Sequence, residues 1–157
     1  MLPLMSHLDG EAGALPIIGW KEYVDLPELG IRRLKAKIDT GARTSSLHVS
    51  SLEVLAEHED GSSDVEIRVP LDRRGSREAV ARTRVLRRIR VTDSGGHAEI
   101  RPLIEAEVVL GPVRRRILLT LTDRQGMLFR MILGRKALEG ICLIDVATKY
   151  RLSRRPR

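Results

Sequence analysis

Apolar and polar positions alternate along most of this chain with a period of two. That spacing turns one side of a strand into a core and leaves the other side wet. Val65-Glu66-Ile67-Arg68-Val69-Pro70 shows it cleanly. Ala79 to Thr92 repeats it, with Val85, Ile89 and Val91 on one side and arginines on the other. The same reading predicts a first strand over Ile17–Val24, ended by Asp25-Leu26-Pro27, and a second over Ile31–Ile38 after Gly30. Further strands are predicted over Ser46–Glu57, Glu99–Leu110, Ile117–Thr122 and Ile141–Val146. Turn chemistry separates them at His58–Asp64, in the charged loop Leu71–Glu78, at Asp93-Ser94-Gly95-Gly96-His97 and at Gly111-Pro112. Two glycines between β-rich runs make the third of these the best hairpin signal. Helix is expected only at Lys136–Glu139, stopped by Gly140. Many short strands with frequent turns and one short C-terminal helix mean an all-β barrel.

The chain organises simply. Residues 1–16 are polar and rich in small residues, and are expected to form a flexible N-terminal arm. Residues 17–150 make one domain, with no internal repeat, and 151–157 form a basic C-terminal tail. At 157 residues with 3% aromatics, the core has to be aliphatic. Trp20 and Tyr23 are expected at the core or an interface, with their polar tips satisfied. The lone Cys142, in Ile141-Cys142-Leu143-Ile144, is expected as a small buried hydrophobe. The first 14 residues lack the basic and apolar regions of a signal peptide, and no stretch is apolar enough for a membrane span. A cytoplasmic protein with no membrane partner is the expectation.

Charge adds a second theme. The net charge is +7, from 28 Lys and Arg against 21 Asp and Glu. Nine arginines fall between Arg68 and Arg90, opposed only by Asp72 and Glu78. Arg114-Arg115-Arg116 and the tail extend the excess. Such a surface attracts a polyanion, whether nucleic acid, a ribosomal surface or an acidic polypeptide, or it is simply a solvated basic face.

The chemistry is carried by Lys35-Ala36-Lys37-Ile38-Asp39-Thr40-Gly41-Ala42-Arg43-Thr44-Ser45-Ser46. A short strand delivers an acid, a hydroxyl and a glycine in succession. The glycine is expected to let the backbone turn sharply just past the carboxylate. Near the other end, Met131-Ile132-Leu133-Gly134-Arg135 runs apolar residues into a glycine and then a short helix. These two elements, in this order, resemble the retropepsin-like aspartic proteases. The likeness is closer to a bacterial branch that bears the name ATP-dependent zinc proteases and occurs beside ATP-grasp glutamate ligases. It extends over most of the chain, from Ile18-Gly19-Trp20 and Leu26-Pro27-Glu28-Leu29-Gly30 to Thr120-Leu121-Thr122-Asp123-Arg124.

The resemblance implies a retropepsin-like acid-protease barrel and an aspartic endopeptidase, with Asp39 as general acid and base and with Thr40 and Gly41 holding its loop. Such chemistry needs two carboxylates about 3 Å apart sharing a proton. The chain has one Asp-Thr-Gly, so a homodimer has to supply Asp39 twice across a two-fold axis. The resemblance also makes Gly95, Gly96 and His97 a flap over substrate. Ala42, Arg43 and Arg135 are candidate substrate-binding residues, and His48, just past the acid loop, is either another or, like His97, a hydrogen-bonded structural histidine. Extra sequence between Ser50 and Arg90 implies an elaborated hairpin without an assigned role.

Two departures stand out. Viral retropepsins usually have an acid two residues past the motif glycine, pairing with the arginine after the second glycine; here that place is Arg43, facing Arg135. Two cations favour a substrate carboxylate, hence acidic peptides such as oligo-glutamate tails, with a glutamate ligase or ribosomal protein as partner. Relatives also usually have Pro where this chain has Arg130. No cofactor is expected. There is no His-Glu-x-x-His motif or cysteine pair for zinc, His7, His48, His58 and His97 are scattered, and no phosphate-binding glycine loop is present. The competing reading is a catalytically weak binding module of the same fold, docking on ribosomal RNA or an acidic protein.

Overall fold

The computed structural model describes residues 14–123 and 128–153. Strands dominate: β1 (Ile17–Ile18), β2 (Lys21–Leu26), β3 (Ile31–Ile38), β4 (Ser45–His48), β5 (Ser51–Glu57), β6 (Ser63–Pro70), β7 (Glu78–Val85), β8 (Arg87–Thr92), β9 (Ala98–Leu110), β10 (Val113–Thr122), β11 (Met131–Leu133) and β12 (Leu143–Ile144). A 3₁₀ turn at Pro27–Leu29 and one helical turn, α1 (Arg135–Leu138), complete the described elements.

The expected all-β barrel is present. β10, β4, β11, β3, β2 and β9 are neighbours in that order, and pairing of β9 with β10 closes the ring into six strands. Alternation explains the core: on β3, Leu34, Ala36 and Ile38 are buried while Lys35 and Lys37 are exposed. Leu47, Leu119, Leu121, Met131 and Leu133 fill the same aliphatic interior. β8 extends β9 as a hairpin, and β1 pairs in parallel with β12 as a separate two-stranded ribbon.

β5, β6 and β7 form a three-stranded antiparallel sheet. Val65, Ile67, Val69, Ala81 and Val85 bury its inner face. Its outer face answers part of the arginine question. Glu66 sits opposite Arg82, and Asp64 opposite Arg84. The side chains pair at 3.4 and 3.2 Å, and Arg68 meets Glu78 at 2.8 Å. Cross-strand pairing of opposite charges is ordinary sheet chemistry.

Several predicted strands are broken, each for a local reason. The first is interrupted at Gly19, where a Cβ would stand 2.4 Å from the carbonyl oxygen of Thr148. Ser46–Glu57 divides because Val49 donates to Thr122 in the barrel while Ser50 donates to Arg68 in the small sheet. Ala79–Thr92 divides at Leu86, whose N–H goes to Leu103 as the chain crosses from one sheet to the other. The last strand shortens to β12, and the helix begins one residue earlier than expected.

Buried Glu22 draws the chain's end back onto β2. Its carboxylate accepts the N–H groups of Gly19, Arg151, Leu152 and Ser153, and the Ser153 hydroxyl. Residues 151–153, expected in a basic tail, are therefore docked on the domain. Residues 154–157 and most of the expected arm, 1–13, lie outside the described residues.

Candidate active site

β3 and β4 are consecutive along the chain but do not pair. β11 lies between them, parallel to β3 and antiparallel to β4. The loop that joins β3 to β4 therefore arches over the end of β11, and Asp39 stands at its start. Cross-links fix it there. Asp39 N–H donates to the Leu133 carbonyl at 2.9 Å, and Arg135 and Lys136 N–H donate to the carbonyls of Ala42 and Arg43 at 2.8 and 3.1 Å. Ser45 Oγ accepts from Gly134 N–H at 3.0 Å.

Gly134 is what permits so close an approach. A Cβ there would lie 2.9 Å from the carbonyl oxygens of both Ala42 and Arg43. Gly41 serves by space rather than by φ. It is not among the positive-φ glycines, which corrects the expectation that it turns the backbone. Its N–H donates to Asp39 Oδ1 at 3.0 Å, and a Cβ would sit 3.2 Å from that oxygen. Among the described residues no side chain donates to the other carboxylate oxygen. Asp39 is half-buried, while Thr40 and Gly41 are exposed.

Arg135 and Arg43 differ in their commitments. Arg135 Nη1 donates to the Thr40 carbonyl at 2.9 Å, clamping the loop from the helix. Arg43 is exposed and has no ion-pair partner among the described residues. Thr40, Arg43 and Arg135 line one open groove of about 590 Å³ together with Cys142 and Ile144. A second groove, of about 490 Å³, joins Arg43 and Thr44 to Arg87 and Ile89 at the base of the β8–β9 hairpin.

The remaining expected site residues lie elsewhere. Gly95, Gly96 and His97 form the exposed tip of that hairpin, and Asp93 Oδ1 accepts the N–H groups of Gly95 and His97, both at 2.9 Å. Gly96 takes φ of 83°, as the turn requires. His48 is buried on β4, with 6% exposure. Burial, then the nearby Arg130, holds its pKa below the usual histidine range, which keeps it neutral at pH 7. Among the described residues no group of His, Cys, Asp and Glu gathers as metal ligands would, so this donor set does not fit a zinc ion.

Sequence reasoning missed Lys37 and Ser45. Lys37 is exposed on β3 two residues before Asp39, a placement that counting back by two from the acid would have found. Ser45 became visible only through β11, its partner across 89 residues of chain.

A family model described as RimB-like, retropepsin-like aspartic endopeptidase, matches residues 17–155. The chain is 36% identical over 136 residues, 87% of its length, to a protein of Parasynechococcus marenigrum named "Probable alpha-L-glutamate ligase". A protein of the same name from Desulfotalea psychrophila is 37% identical over 142 residues. The chain spans only 29% and 30% of the lengths of these two relatives. A crystal structure of a Legionella pneumophila protein of unknown function has the same fold, with a TM-score of 0.66 at 25% identity, covering 88% of this chain and 98% of that one.

Proposed function

Because the chain belongs to the RimB-like family of retropepsin-like aspartic endopeptidases, we propose that it hydrolyses peptide bonds as a homodimer, in acidic, glutamate-rich protein tails. One observation carries the reading. Asp39 is held at the mouth of an arched loop, one carboxylate oxygen tied by Gly41 and the loop clamped by Arg135 and Gly134.

Two copies of Asp39 brought together share one proton, because adjacent like charges cannot both ionise. The ionised carboxylate takes a proton from water as the water oxygen attacks the scissile carbonyl carbon. The protonated one gives its proton to the carbonyl oxygen. Collapse of the tetrahedral diol breaks the C–N bond as the carboxylate that received the water's proton passes it to the leaving nitrogen, and one diol hydroxyl returns its proton to the other carboxylate, restoring the shared proton. The exposed hairpin tip at Gly95, Gly96 and His97 then serves as the lid that excludes water.

The acidic substrate follows from Arg43, which lines a groove with Thr40 and has no ion-pair partner among the described residues. It is also supported by relatives named as glutamate ligases, which contain a stretch similar to this chain. A ligase of that kind is the proposed partner and the cytoplasm the proposed location, in keeping with a lone, half-buried Cys142. The described residues include no helix long and apolar enough to cross a membrane.

The test is cleavage of a glutamate-rich peptide and a neutral one by wild type, Asp39→Asn and Arg43→Ala, with and without chelator. Asp39→Asn is expected to lose at least about a thousandfold in kcat for both peptides, unaffected by chelation. Arg43→Ala is expected to raise KM about fivefold for the acidic peptide alone. Hydrolysis that survives Asp39→Asn defeats the mechanism. Equal indifference of both peptides to Arg43→Ala removes the substrate assignment.

A further inference from the structure

Two sets of arginines among the described residues contrast in their partners. Those on the outer face of the three-stranded sheet are paired, as Arg68, Arg82 and Arg84 show, and Arg114 and Arg116 on β10 likewise meet Glu107 and Glu28. A second set, Arg32, Arg33, Arg73, Arg77 and Arg130, lines a groove of about 900 Å³ between the outer face of β2 and β3 and the loop from Leu71 to Arg77.

Lys21, Arg32, Arg33 and Lys35 line the barrel side of this groove, and Arg73 and Arg77 the loop side. Arg130 lies at one end, its Nη2 donating to the Asp72 carbonyl at 3.1 Å. Asp72 is the one acid in the lining, and its carboxylate is turned into its own loop, accepting from Ser76 N–H at 2.9 Å and Ser76 Oγ at 2.5 Å. None of the groove's cations is ion-paired with a carboxylate of the described residues. A local irregularity builds the wall: the β2–β3 register shifts between Val24 and Leu26, and Arg33 takes φ of 55° with its N–H on Asp25 Oδ1. The bulge leaves Arg32 and Arg33 both exposed.

We propose that this groove is an anion-binding site for an extended acidic polypeptide segment, separate from the Asp39 loop. Unpaired guanidinium and ammonium groups converging on one concavity make a positive field that a run of carboxylates satisfies, bidentately at each arginine. The aromatic residues decide against single-stranded nucleic acid, which binds by stacking bases on open rings. Tyr23 is flanked by Tyr150 at 4.6 Å and by the Arg33 guanidinium at 4.8 Å. Trp20 has Lys21 Nζ at 4.7 Å from its centre and Phe129 against it edge-on. The rings are already occupied, and what the groove offers is charge.

Its position gives the site a use. Lys35 and Lys37 are exposed on one face of β3, and Asp39 follows just past the strand's end, so the row leads from the groove toward the candidate catalytic acid. From Arg33 to Asp39 is about 20 Å of strand, the span of about six extended residues. A tail anchored in the groove thus reaches the acid in extended form. The proposal shares with the endopeptidase reading only the kind of chain bound, and it is tested without hydrolysis.

The experiment measures binding of a fluorescent glutamate decapeptide to the full chain carrying Asp39→Asn, beside an oligouridylate of equal charge and a neutral peptide. Arg73→Gln/Arg77→Gln removes two groove charges; Arg82→Gln/Arg84→Gln removes two from the paired face at the same net charge. The expected result is binding of the acidic peptide, weakened about tenfold by the first pair and unchanged by the second. Equal weakening by both pairs, or by neither, overturns the site. Tighter binding of the oligouridylate that is lost with Arg73→Gln/Arg77→Gln overturns the polypeptide assignment. Hydrolysis that survives Asp39→Asn would refute the endopeptidase reading and leave this binding result standing.

Discussion

Gly134 shows how one missing side chain sets the geometry of a candidate active site. Its φ of −84° and ψ of 176° are open to any residue, so the need for glycine is steric. The carbonyls of Ala42 and Arg43, at 2.9 Å from a would-be Cβ, are also the acceptors for Arg135 and Lys136. A methyl group would push the Asp39 loop and the helix apart and stretch both bonds. Gly134→Ala is expected to lower stability by about 1–3 kcal/mol in urea denaturation. It is also expected to lower kcat by about a hundredfold through misplacement of the acid. Unchanged kcat in a folded variant would mean that the loop is positioned by something other than these bonds. The same position was readable in the sequence as an apolar run ending in glycine. Its reason was not, because the atoms that forbid a side chain belong to residues about 90 positions away.

At the scale of elements, local pattern and long-range pairing part company. β3, β6, β9 and the Asp93–His97 turn were legible because two-residue alternation and glycine chemistry act within each segment. The breaks at Gly19, Val49-Ser50 and Leu86 were not, since each marks a change of hydrogen-bonding partner that alternation does not register. Glu22 is the strongest case. In sequence it is one polar position in an alternating strand; in the fold it is fully buried. Burial pushes its pKa up, and the N–H of Gly19, the Ser153 hydroxyl and the N–H groups of Leu152 and Ser153 more than offset this, so the net shift is downward. A carboxylate whose folded pKa is depressed stabilises the fold above its unfolded pKa of about 4.3, and that stability is lost as pH falls through the folded value. Stability should therefore decline on the acid side of that range. Glu22→Gln is expected to cost about 1–3 kcal/mol at pH 7, because an amide presents N–H to donors it cannot satisfy. It should also flatten the acid limb of the stability curve in denaturation from pH 7 to 3. An unaltered acid limb in the variant would assign that limb to other carboxylates.

For the whole molecule, the question is how two chains of charge +7 come together around one acid each. The proposed dimer has an apolar surface at hand: Ile17, Leu143 and Val146, at 37%, 46% and 81% exposure, lie on or beside the β1–β12 ribbon. Ile144 of this ribbon shares a groove with Thr40. Covering that ribbon with a second copy would bury the apolar side chains and draw the two Asp39 loops together. Two salt effects then oppose each other. Screening relieves repulsion between like-charged protomers and tightens the dimer, while it weakens attraction of an acidic peptide to Arg43 and the basic groove. At protein concentrations below the dimer dissociation constant, activity per chain on a neutral peptide should rise with both protein concentration and salt. On a glutamate-rich peptide it should pass through a maximum as salt increases. Val146→Asp places a charge in the proposed contact, and should shift sedimentation from twice 17.6 kDa to the monomer mass and reduce activity in proportion. A Val146→Asp monomer that retains wild-type activity per chain would show that one Asp39 suffices, and the shared-proton mechanism would fall with the dimer.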